Sequence, residues 1–158
     1  MSLMLRESEM PDNKVAQTKN KTILSHVSDE VSLMEKAMNL QAKAAEFGFD
    51  WPTIAQIFET LQEEIDELKS ELRQFPLKDY KNNHHRLQDE LGDVIFCCMN
   101  LARFLKVDPE KALQSTNEKF ERRFNFIENN VAQQGKKMQD LTLEELDQVW
   151  DLAKEQGL

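Results

Sequence analysis

The chain has 158 residues, 40% hydrophobic and 31% charged, with only 4 Gly and 4 Pro, a composition that suits one mostly helical, soluble domain with a sizeable core. Its formal net charge of −9 excludes broad binding to DNA, RNA or an anionic membrane, which need an excess of Lys and Arg. It does not exclude a nucleotide whose charge is carried by metal. No apolar run is long enough to span a bilayer, and the N-terminus lacks a signal-peptide pattern.

Residues 1–27 are polar and without sustained periodicity, and are expected to form a flexible tail ahead of one domain over 28–158. Met1-Ser2-Leu3 before Met4 has the form of an added leader. Ser28 followed by Asp29 and Glu30 predicts a helix start, Val31, Met34, Met38 and Ala42 recur at helical spacing, and Gly48 ends the run. Phe49-Asp50-Trp51-Pro52 reads as a loop in which Asp50 caps a second helix and Pro52 occupies its first turn.

That second helix is predicted over 52–74, with Ile54, Ile57, Phe58, Leu61, Ile65, Leu68 and Leu72 on one stripe. Glu64 and Glu67 border the stripe on one side, Glu63 lies nearly opposite the core, and Asp66 is on the other flank. Phe75-Pro76 breaks the helix, and residues 77–84 make a polar connection. A third helix is expected over 85–106, its core stripe formed by Leu87, Leu91, Val94, Cys98, Leu101 and Leu105. Ile95, Phe96, Cys97 and Met99 make its middle apolar almost all round, the pattern of a helix buried centrally in a bundle. Glu90 and Asp93 stand one turn before that stretch. Cys97 and Cys98 are adjacent and have no metal-type spacing, so they are read as reduced core residues of a cytoplasmic protein.

Asp108-Pro109-Glu110 opens a fourth helix that Gly135 closes, with Leu113, Phe120, Phe124, Ile127 and Val131 facing the core and Lys119 and Arg123 along one edge. Thr142-Leu143-Glu144-Glu145 is a capping box for a last helix through Leu146, Val149, Trp150 and Ala153. No strand-like alternation and no Gly-rich phosphate loop is present.

The chemistry resides in Glu64, Glu67, Glu90 and Asp93. A single pair of acids three residues apart is common on solvated helix faces. Two such pairs bordering core stripes on two helices would concentrate charge that needs hard, oxygen-seeking divalent cations, Mg²⁺ above all. Glu63 adjoins the set and is a candidate for orienting water. Lys119 and Arg123 are either a solubilising edge or ligands for phosphate oxygens. Trp51 and Trp150 are packing residues or platforms for a base. His84-His85 lacks a third ligand and is set aside.

Together, Glu63-Glu64-Ile65-Asp66-Glu67, Glu90-Leu91-Gly92-Asp93 and Lys119-Phe120-Glu121-Arg122-Arg123-Phe124 closely resemble the MazG family of nucleoside triphosphate pyrophosphohydrolases, as do the Gly48–Pro52 loop and the Asn100-Leu101-Ala102-Arg103 run. The likeness runs from about Val31 to Lys154, and is to the second, catalytic copy of relatives that carry two such domains in tandem. The resemblance implies an all-α fold, a helical bundle with a four-helix catalytic core. It implies hydrolysis of an NTP or dNTP to the monophosphate and pyrophosphate, in the service of nucleotide-pool house-cleaning. Mg²⁺, with Mn²⁺ as a substitute, would be held by Glu64, Glu67, Glu90 and Asp93. Substrate contacts would come from Glu63, Arg86, Asp89, Lys119, Arg123 and Trp150. The resemblance also implies a homodimer or higher homo-oligomer. The alternatives are a related all-α enzyme acting on dUTP, dCTP or phosphoribosyl-ATP, a non-enzymatic nucleotide-binding module, and a purely structural helical partner protein.

Overall fold

The computed structural model describes the backbone of residues 22–74 and 80–158, and the side chains of these except at 74 and 80–83. Most of the expected tail and the Phe75-Pro76 break lie outside the described residues. Within them the fold is all-α, with no strand: α1 spans Leu33–Ala45, α2 Ile54–Gln74, α3 Tyr80–Leu105, α4 Pro109–Gln133 and α5 Leu143–Glu155. Two 3₁₀ turns, Ile23–His26 and Met138–Asp140, complete it.

The helix ends follow local chemistry. The cap of α1 is Ser32, whose hydroxyl accepts from the Glu35 amide, not Ser28. Ser28 instead accepts from the Glu30 amide in a local turn, a side-chain bond that competes with helix initiation. Gly48 and Gly135 take φ of +84° and +70° after α1 and α4, the left-handed conformation that makes glycine the natural stop. Asp108 accepts from the amides of Glu110 and Lys111 with Pro109 in the first turn of α4, and Thr142 and Glu145 close the expected capping box on α5. Helix α3 begins five residues before the predicted start. No Gly or Pro interrupts 80–84, so the helix propagates through a polar stretch that lacks a breaker.

Helix α3 is the central element: α2 packs along it, α1 packs on it, and α4 packs on α5. Ile57 of α2 is fully buried, and the Cys97 thiol of α3 donates to its carbonyl at 3.6 Å. Met99 and Asn100 are buried with Cys97, while Ile127, Val131 and Ala153 form the core between α4 and α5. Cys97 and Cys98 are both free thiols, as expected.

The predicted core is only partly realised. Leu91, Ile95, Phe96 and Leu105 of α3 and Leu113, Phe120 and Phe124 of α4 all remain well exposed. Helix α3 is therefore not enclosed on all sides as its composition suggests. Its apolar girth exceeds what the described residues of α1 and α2 cover.

Candidate active site

Glu64 on α2 and Glu90 and Asp93 on α3 converge. One carboxylate oxygen from each lies within 4.8 Å of the others. The convergence follows from antiparallel packing of α2 on α3, which sets the bordering edges of the two stripes side by side. Burial, then the charges of Asp93, Glu67, Glu90 and Glu63, push the Glu64 carboxyl above its ordinary range. Burial followed by Glu67, Asp93, Glu71 and Asp89 does the same at Glu90.

Three oxygens from hard, mutually repulsive carboxylate donors suit a divalent cation that takes oxygen ligands. The donor set contains no soft ligand: the nearest thiol, Cys97, is buried and held protonated, its pKa raised by burial, then by Cys98 and Glu64. Glu67, the fourth expected ligand, is exposed and stays outside the group of three, although its charge is felt at both Glu64 and Glu90. Glu63 and Asp89 are exposed beside the cluster, and each adds to the charge felt at one of its members. Arg86 lies 3.6 Å from Glu71, an acid one helical turn beyond Glu67.

The remaining predicted residues gather elsewhere. Arg123 donates from Nε to the Leu158 carbonyl at 2.8 Å, and its guanidinium stands 5.4 Å from the Trp150 ring centroid. Trp150 also packs on Phe120 at 5.3 Å. Lys119, exposed, lies one turn before Arg123. Lys119, Arg123 and Trp150 thus stand on α4 and α5, and the acids with Arg86 on α2 and α3.

A cavity of about 520 Å³ opens beside the acids, with Glu64 and Asp93 in its wall and Leu40, Ala44, Phe96 and Cys97 among its apolar lining. The loop Phe49-Asp50-Trp51 forms its rim. Asp50 does not cap α2. Its carboxylate is held by the Arg103 guanidinium, with one bond of 3.2 Å from NH1 and a second from NH2, and it accepts from the Trp51 amide at 2.9 Å. The Arg103 hydrogen bond, outweighing partial burial, keeps the Asp50 carboxyl below its usual range. Arg103 also donates to the buried Asn100 side chain at 3.1 and 2.8 Å. Sequence reasoning missed this network because Asp50 and Arg103 are 53 residues apart. The Asn100-x-x-Arg103 spacing on one helix face was the available signal. It also missed Gln41, which faces the same cavity from α1.

Residues 53–126 match the MazG nucleotide pyrophosphohydrolase domain. The chain is 35% identical over 156 residues to the nucleoside triphosphate pyrophosphohydrolase of Escherichia coli (strain K12), covering 99% of this chain and 57% of that protein. It is 34% identical over 136 residues to the nucleoside triphosphate pyrophosphohydrolase/pyrophosphatase MazG of Thermotoga maritima, covering 86% and 49%. It is also similar, at 45% over 73 residues, to the uncharacterized protein YabN of Bacillus subtilis, covering 46% of this chain and 15% of that one. The chain spans little more than half the length of the first of these relatives.

Proposed function

We propose that the chain, whose residues 53–126 match the MazG nucleotide pyrophosphohydrolase domain, hydrolyses nucleoside triphosphates to the monophosphate and pyrophosphate. The observation that carries this reading is the convergence of Glu64, Glu90 and Asp93 within 4.8 Å at the mouth of a cavity large enough for a nucleoside. The names of the Escherichia coli and Thermotoga maritima relatives support the same activity.

Glu64, Glu90 and Asp93 would hold Mg²⁺, or Mn²⁺ in its place, and Glu67 would join them. When bound, the cation lowers the charge of the triphosphate and activates the attacking water. The chain's own groups do the rest. Glu63, exposed beside the cluster, orients the water toward the α-phosphorus. The new bond joins water oxygen to that phosphorus, and the bond from phosphorus to the bridging oxygen breaks. Pyrophosphate departs with that oxygen, and the water's proton is released to solvent. Lys119 and Arg123 take the charge accumulating on the leaving group. Arg86 and Asp89 contact the nucleotide near the acids, and Trp150 contacts it from α5. No covalent nucleophile is used.

These groups stand on two helix pairs, which favours a site completed in a homodimer or larger homo-oligomer. The exposed apolar side chains of α3 and α4, from Leu91 to Phe124, supply surface for such an assembly. The expected compartment is the cytoplasm, where substrate triphosphates and free thiols coexist.

The decisive test is pyrophosphate release from a nucleotide panel by the wild-type chain and by Glu67→Ala and Asp93→Ala, with Mg²⁺ and with chelator. Loss of turnover in both variants and in chelator is expected. Wild-type rates in a folded Asp93→Ala protein would remove the acid cluster from the chemistry.

A further inference from the structure

Gln41 sits on α1 within the cavity beside the acids. Its Nε2 donates to the Phe96 carbonyl on α3 at 2.9 Å. That bond fixes the orientation of the amide, since the flipped form would set one carbonyl against another. The other end, Oε1, is buried and has no hydrogen-bond partner among the described residues. A buried acceptor without a donor is costly, and such groups are rare unless a ligand completes them.

The surroundings define what completes it. The adjoining walls are apolar, from Leu40, Ala44 and Phe96, and the rim offers the flat faces of Phe49 and Trp51, 84% and 37% exposed. The oxygens of Asp50 and Asn100, which also line the cavity, already accept from Arg103. Glu64 and Asp93 line the same cavity. A ligand with its phosphates at those acids therefore extends a planar, apolar body toward Gln41, and needs a hydrogen-bond donor at its far edge.

We propose that the cavity takes the nucleobase and that Gln41 Oε1 accepts from an exocyclic amino group, so that amino-bearing bases are selected over their keto counterparts. For phosphate placement this rests on the pyrophosphohydrolase reading above. A cytosine or adenine amine brings a donor to the lone acceptor. The keto oxygen of uracil or hypoxanthine brings lone pairs against lone pairs. The ring N–H of uracil or hypoxanthine is also a donor, but it lies one ring position from the amino site, so the base must shift to bring it to Oε1 in place of the keto oxygen. Volume does not sort purines from pyrimidines here, because the cavity exceeds either base. The discrimination is chemical, and Gln41 is a specificity-determining residue.

Matched pairs that differ only at that group test it: CTP against UTP, and ATP against ITP, with Mg²⁺ and the full chain. We expect kcat/KM to favour the amino member by about tenfold in each pair. Purine riboside triphosphate, which lacks the amine and adds no carbonyl, should lose most of the advantage of ATP without any change to the protein. Gln41→Met, of similar volume but without the acceptor, should bring both ratios close to one. Equal rates within the pairs, or a preference that survives in Gln41→Met, would overturn the assignment. Calorimetric binding of CMP against UMP separates this from the reaction itself. If no triphosphate is hydrolysed yet CMP binds about tenfold tighter, the hydrolase reading falls and the role of Gln41 stands. Equal binding of the two overturns it.

Discussion

Replacing Asp93 with Asn should make the metal-free protein more stable while removing its response to Mg²⁺. The Glu64 and Asp93 oxygens are no more than 4.8 Å apart. Two unit charges at that distance repel by about 1 kcal/mol in a water-like dielectric. Asp93 is exposed, so salt and solvent reduce the part that survives toward half of that. For a chain of this size 1 kcal/mol corresponds to roughly 2–4 °C in Tm, so the metal-free variant should melt about 1–3 °C above wild type. With Mg²⁺ at a hundredfold excess over its Kd the wild-type protein should gain about 2.7 kcal/mol, or roughly 5–10 °C. Asn offers no anionic ligand, and that gain should collapse. Thermal unfolding followed by circular dichroism, with EDTA and with Mg²⁺, reads both effects. A metal-free Asp93→Asn protein that melts below wild type, or one that keeps the full Mg²⁺ shift, would refute the account of the site.

The remaining expectations concern pH and packing. The carboxyls of Glu64 and Glu90 are raised above the ordinary 4.5, so the folded state binds their protons more tightly than the unfolded chain does. That stabilisation is complete below 4.5 and is lost as pH rises through the raised values. Urea midpoints of metal-free protein should therefore fall less between the carboxylate range and neutrality in Glu64→Gln than in wild type; an unchanged slope would contradict the raised carboxyl. Arg103→Ala strips the donors from the Asn100 oxygen, on a side chain only 7% exposed, and should cost about 1–3 kcal/mol in urea unfolding. Ile57→Ala, at a position with no exposure, should cost about 2–5 kcal/mol, and a loss below 1 kcal/mol would mean that α2 does not seat on α3 as described. Thr142→Ala opens the capping box on α5 and should cost about 1 kcal/mol by the same measurement.

Helices and their stops were legible because their signals are local. Gly48 and Gly135 mark ends where a positive φ is required, and Thr142 with Glu145 marks a start. Ser28 was misleading because a serine that bonds its own turn has the same letters as one that caps a helix. Glu64, Glu90 and Asp93 could be paired from sequence because their side of each stripe follows from helical periodicity. The burial of α3 could not be. Ile95 and Phe96 belong to an apolar girth that the described residues leave exposed, and periodicity does not say what covers it. Gln41 was invisible for a different reason: an unpaired carbonyl oxygen is a property of three-dimensional neighbours, and nothing in the sequence around it differs from an ordinary polar position.

The turn at Gly48 divides the labour of the cavity. The clustered acids reside on two long helices held together at Ile57 and Cys97, whereas the rim and the Gln41 amide come from α1 and the short loop after it. If the cavity takes a base as proposed, substitutions at the rim would alter which base is admitted while the helices that carry the acids keep their register. On that reading, a lineage built on this plan could change its diet without relearning how to cut.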